Sequence, residues 1–121
     1  MTEEKLIRLL QQLKIASEHD RLDWQETADE GSFRVHLGGG MVRVGEGVCR
    51  DDDDMPHPAY HVTILDRRGN VVDEMSETGG PLFDLIGEVH RLARRRARNA
   101  EQALDEMLSA IGGKTQDLPA R

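Results

Sequence analysis

Residues 32–48 read SFRVHLGGGMVRVGEGV. Phe33, Val35 and Leu37 alternate with Arg34 and His36; beyond Gly38-Gly39-Gly40, Val42, Val44 and Val48 alternate with Arg43 and Glu46. A period of two places the two sets on opposite faces of half-buried strands. The glycines supply the positive φ angles of a tight turn, so the stretch predicts a β-hairpin.

The pattern continues downstream. Residues 59–66 predict a third strand with Tyr60, Val62 and Ile64 on one face, Arg67-Arg68-Gly69-Asn70 a turn, and residues 71–76 a returning fourth strand. Short turns between such strands make an antiparallel meander. Residues 49–58 are expected to be a mobile loop, because Asp51–Asp54 repel one another and Pro56 and Pro58 block regular structure. Gly45 and Gly47 suggest a bulge or close packing.

Helices flank the strands. In residues 3–18, Leu6, Leu9, Leu10, Leu13 and Ala16 recur at steps of three and four, with Ile7 and Ile15 widening the stripe. Thr2 is placed to cap this helix, and Glu3 and Glu4 favour its first turn. Residues 17–21 are polar and end it. Trp24, in the polar stretch 22–28, reads as a plug at one end of the core, on a segment that is either strand or loop. Gly79-Gly80 and Pro81 open a second helix over residues 81–111. Its stripe runs through Leu82, Leu85, Ile86, Val89, Leu92, Ala93, Ala97, Ala100, Leu104, Met107, Leu108 and Ile111. Such a helix is about 45 Å long, whereas a six-residue strand covers about 20 Å, so it either overhangs the sheet or breaks near Asn99. Gly112-Gly113 reads as its stop and residues 114–121 as a flexible tail.

The fold class is therefore α+β: an N-terminal helix, an antiparallel meander of three to four strands and a long C-terminal helix on one sheet face, in a single domain over residues 1–113. The same order of elements resembles that of small bacterial accessory proteins, a likeness of fold that implies no function.

Composition narrows the function. The chain has 121 residues, 37% hydrophobic and 32% charged, with a formal net charge of −7. That balance disfavours general binding to nucleic acid or acidic membranes. Cys49 is the sole cysteine, so no internal disulfide forms. The N-terminus lacks the apolar core of a secretory signal, and no apolar run approaches the roughly 20 residues that span a bilayer. A cytoplasmic location without a membrane partner is expected.

Candidate chemistry is sparse. His36 and His61 are out of phase with the apolar residues of their strands, so they are expected on the helix-free face with Arg34, Arg43 and Thr63. With His57 and the carboxylates of Asp51–Asp54 they are the residues a metal-dependent enzyme would use, though their spacing matches no zinc pattern. The aspartate run lacks the alternation, the central glycine and the closing glutamate of an EF-hand loop. The glycine groups lack the Lys-Ser/Thr and following helix of a phosphate-binding loop. Cys49 lies beside Arg50 and eight residues before His57, with no third orienting group evident from sequence. No metal, cofactor or catalytic residue is assigned.

Two features of the C-terminal helix carry the functional expectation. Arg91, Arg94, Arg95 and Arg98 follow helical steps and form a basic ridge, with Arg96 nearer the apolar stripe. The ridge could meet phosphates or an acidic partner, or be neutralised by Glu88, Glu101 and Asp105. The stripe from Ala97 through Ala100, Leu104, Met107, Leu108 and Ile111 outruns the sheet, and an overhanging apolar stripe calls for a partner. The leading expectation is a non-enzymatic interaction module of accessory, adaptor, immunity or antitoxin type. It would associate through residues 93–111 with another protein or a second copy, the alanines at 93, 97, 100 and 103 allowing close helix contact. Nucleic-acid binding through the ridge and a metal-dependent enzyme are the alternatives.

Overall fold

The computed structural model describes residues 3–116. The elements are α1 (Glu3–Glu18), β1 (Gln25–Glu26), β2 (Ser32–Leu37), β3 (Gly40–Arg50), β4 (Pro56–Asp66), β5 (Val71–Glu77), α2 (Gly80–Ala97) and α3 (Ala100–Gln116). The strands form one antiparallel sheet in chain order, β1-β2-β3-β4-β5. The α+β meander expected from alternation is present, with the 22–28 stretch contributing the two-residue β1.

Each turn has a local cause. Gly38, at φ +43°, turns β2 into β3 so that Leu37 pairs with Gly40. At the β4–β5 hairpin Asp66 Oδ1 accepts the backbone N–H groups of Arg68 and Asn70 at 2.9 and 3.0 Å, and Gly69 takes φ +83°. The side chain thus mimics a backbone turn, as aspartate does in an Asx-turn. Helix α1 closes without glycine. Asp20 adopts φ +54°, Arg21 N–H reaches Ala16 O at 2.9 Å and Asp20 N–H reaches Ser17 O at 3.2 Å, the Schellman pattern of a helix C-terminus.

Alternation decides the core. Phe33, Val35, Val42, Val44, Val62 and Ile64 from the sheet cluster with Ile86, Val89 and Ala93 of α2, Leu6, Leu10 and Leu13 of α1, and Trp24. Helix α1 runs beside α2. Ile15, expected to widen the α1 stripe, is exposed instead.

Three expectations are corrected. The loop predicted over 49–58 shrinks to 51–55, because Cys49 and Arg50 belong to β3 and Pro56, His57 and Pro58 to β4. The prolines are tolerated because they share parity: both ring nitrogens face the side that β5 leaves open, its pairing ending at Tyr60↔Glu77. The helix predicted over 81–111 is two helices, the break falling where the length mismatch placed it. Asn99 takes φ +52°, a conformation Asn tolerates better than most residues. Lastly, Gly112-Gly113 does not stop α3, which continues to Gln116. Gly112 does not take the positive φ that a terminating glycine needs. A helical glycine costs about 1 kcal/mol relative to alanine, a penalty that need not end the helix. The predicted tail thus begins within α3, and its residues 117–121 lie outside the described residues. Among the described residues no helix is long and apolar enough to cross a membrane.

Candidate functional site

The break at Asn99 divides the C-terminal stripe into two parts with different roles. In α2 the apolar positions belong to the chain's own core. Ala93 is buried and Ala97 packs against the core cluster, so these alanines, expected to admit another helix, are already occupied. In α3 the stripe faces solvent: Leu104 is 46% exposed, Met107 60% and Leu108 65%. Ile111, one turn on, is also exposed, and Ala100 and Ala103 are half-buried near the hinge. Of the other elements, α3 lies against α2 alone. Between Ala100 and Gly112 its charged residues are Glu101, Asp105 and Glu106, with no lysine or arginine.

The basic ridge is largely engaged within the chain. Arg91 Nη2 donates to Glu88 Oε2 at 3.0 Å, and Arg95 pairs with Glu101 across the α2–α3 junction. Arg98 grips Glu26 of β1 with two parallel bonds, and its guanidinium lies 5.5 Å from the centre of the Phe33 ring. These contacts hold the carboxyls of Glu26 and Glu88 below the usual glutamate range and raise Arg91 and Arg98. Arg94 lines a shallow groove with Tyr60, Phe83 and Gly87, and Arg96 lines a notch between the end of α1 and the hinge. Asp105, expected among the neutralising acids, makes no ion pair among the described residues.

The candidate histidines do not converge. His36 and His61 both occupy the helix-free face, as their phase predicts. However, β3 separates them: His36 pairs with Met41, whereas His61 pairs with Gly45. His57 lies at the far tip of the β3–β4 ribbon, and no group of His, Cys, Asp and Glu able to hold a metal ion occurs among the described residues.

At that tip the register reveals what spacing hid. Cys49 sits directly opposite His57, and His57 Nε2 lies 2.7 Å from Asp51 Oδ2. Asp51 is therefore an orienting group for His57, a role not evident from sequence. Its Oδ1 also accepts the N–H groups of Asp53 and Met55, each at 2.9 Å. These bonds, the His57 contact foremost, lower the Asp51 carboxyl below its ordinary range. The Cys49 thiol is exposed on the β3–β4 ribbon, and among the described residues it makes no hydrogen bond to His57.

One buried polar residue escaped the sequence reading. His90 is 1% exposed; its Nε2 donates to Gly31 O at 2.7 Å, and its ring packs edge-on to Phe33 and tilted against Tyr60. It is satisfied within the core, and the signal that could have found it is its place one residue after Val89 on the buried side of α2.

Searches with the sequence and the structure found no matching protein-family model, no matching curated protein and no matching solved structure.

Proposed function

We propose that this chain is a non-enzymatic protein-interaction module that docks through α3. The reading rests on one observation: Leu104, Met107 and Leu108 form an apolar face on a helix that its own domain leaves uncovered. Burying such a face against a partner is favourable at about 25 cal/mol per Å2 of apolar surface removed from water. An adaptor, accessory or immunity-like role matches a small domain that presents one helix.

Charge favours a different protein over a second copy. The helix wheel places Glu101 and Asp105 along one flank of the stripe, so an antiparallel pair of α3 helices would align acid with acid. A groove with an apolar floor and a basic rim complements both features.

The test compares the native chain with a Leu104→Glu, Leu108→Glu variant, which alters only exposed positions and should leave the fold intact. A protein retained by the native chain and lost by the variant, from a chain that sediments as a monomer at micromolar concentration, supports the reading. A dimer abolished by the same substitutions transfers the site to self-association. Identical retention by both chains, with no change in sedimentation, overturns it.

A further inference from the structure

The helix-free face of the sheet carries a charge arrangement that the docking role does not use. Arg34 and Arg43 are directly opposed across β2 and β3. Directly opposed residues of an antiparallel pair have their Cβ atoms about 4.5–5.5 Å apart, and like charges at such positions are destabilising. The chain does not relieve this pair. Every ion pair given to an arginine among the described residues belongs to Arg50, Arg91, Arg95 or Arg98. Among the described residues Arg34 Nε is the buried side-chain atom left without a hydrogen-bond partner, and a buried, unsatisfied donor on a charged group is expensive.

The surroundings supply further polar groups. Thr63 completes the rung beside Arg43 and is 6% exposed, with Glu74 opposite it on β5. On the adjacent rung His61 faces Gly45 on one side and Ser76 on the other. The imidazole occupies the space a Cβ at Gly45 would need, so it lies over β3 at that position. Glu74 stands one strand beyond Thr63 on this face, and it forms an ion pair with neither arginine.

We propose that this face binds a phosphate group through the paired guanidiniums of Arg34 and Arg43, with the His61 ring and Ser76 hydroxyl at its margin. The inference is independent of the α3 reading. Two cations opposed on one rung without an ion pair match the charge of −1.5 to −2 that a phosphate monoester carries near neutral pH. Guanidinium forks match its oxygens in geometry, and the terminal nitrogens of both arginines are the donors a phosphate would use. A carboxylate, with one charge, would leave half the repulsion in place.

The test titrates inorganic phosphate and, separately, O-phospho-L-serine into the full chain, following the Arg34 and Arg43 Nε–Hε signals and the His61 ring by NMR. Chloride and acetate at matched ionic strength serve as controls. Saturable shifts with phosphate or phosphoserine that chloride and acetate do not reproduce are expected, and the tighter of the two ligands distinguishes free phosphate from an ester. Arg34→Gln and Arg43→Gln should each weaken binding by about tenfold, Glu74→Gln should strengthen it, and Arg91→Gln on α2 should leave it unchanged. Phosphate should also raise the thermal midpoint of the native chain but not of Arg34→Gln; if a glutamine variant fails to fold, Arg34→Lys keeps the charge while removing the fork. Shifts that never saturate, that chloride reproduces, or that survive in both arginine variants overturn the proposal.

Discussion

Arg98, the residue that caps α2, holds Glu26 of β1 through two bonds of 3.0 and 3.1 Å, Nε to Oε1 and Nη2 to Oε2. The contact joins positions 72 residues apart, and with Phe33 beneath the guanidinium it ties the end of α2 to the edge of the sheet. A residue that in sequence belongs to a basic ridge thus has a defined intrachain partner.

The bidentate geometry gives a titration prediction. Glu26 is held below the usual glutamate range chiefly by the hydrogen bonds from Arg98 and secondarily by its charge. Arg98→Gln should return the Glu26 carboxyl toward its ordinary value, and Arg98→Lys should do so in part, since lysine keeps the charge but not the fork. Because the folded-state value is depressed, the contact stabilises the fold above the ordinary glutamate pKa, and that contribution fades as pH falls through the depressed value. Carboxyl-resolved NMR titration checks it; a Glu26 value unmoved by Arg98→Gln would refute it.

Trp24 and Ser17 pose a sharper question of stability. Trp24 is buried, and its Nε1 donates to Ser17 Oγ at 2.9 Å, with Ser17 also buried on the last turn of α1. Ser17→Ala removes the acceptor and leaves the indole N–H in the core without a partner. The expected loss is about 1–3 kcal/mol in urea denaturation. Trp24 is the sole tryptophan, so its fluorescence reports the transition directly.

The fold was largely legible where side chains repeat against one face. Alternation over residues 32–44 and 59–66 and the leucine steps of α1 each reflect burial on one side, and the core contains those residues. Legibility failed where burial stops. Residues 46–50 and 56–58 form a ribbon beyond the helices, exposed on both faces; Val48 carried the alternation to its base, but no apolar alternation marked residues 49–50 or 56–58, and the prolines read as breakers. The Asp51–His57 contact depends on the register of that ribbon, and the Arg34–Arg43 pair on which strands are neighbours. Neither is contained in local periodicity. The Asn99 break was accessible only because helix length and strand length could be compared.

Glycines separate tight packing from mere turn chemistry. A Cβ at Gly40 would overlap the carbonyl oxygen of Leu65, backbone that cannot step aside without parting β3 from β4. At Gly87 it would meet the Tyr60 ring at 2.9 Å. Gly40→Ala should cost about 1–3 kcal/mol through overpacking. Gly87→Ala should cost less, because alanine recovers up to about 1 kcal/mol of helix propensity while the ring shifts. Gly47→Ala meets nothing within 4 Å and is the near-neutral control. Chemical denaturation of the three variants tests the order.

His61 makes the stability of the sheet depend on pH in a defined direction. Burial disfavours its charged form, and Arg43 and His90 add to the effect, while Glu74 opposes it. The folded-state pKa is therefore lower than the ordinary value of about 6.5. Above that value the ring is neutral in both states and costs nothing. As pH falls below it the unfolded chain takes up the proton first, so stability declines until the folded ring protonates as well. Unfolding free energy should thus fall as pH drops through about 6.5, with a component that His61→Gln removes. Arg43→Gln should raise the His61 pKa and shrink that component, whereas Glu74→Gln should lower the pKa and enlarge it. Ring-resolved titration of the three chains, read beside urea denaturation at each pH, decides the point. A His61 that titrates at its ordinary value, indifferent to residue 43, would show that neither burial nor the Arg43 charge acts on the imidazole in solution.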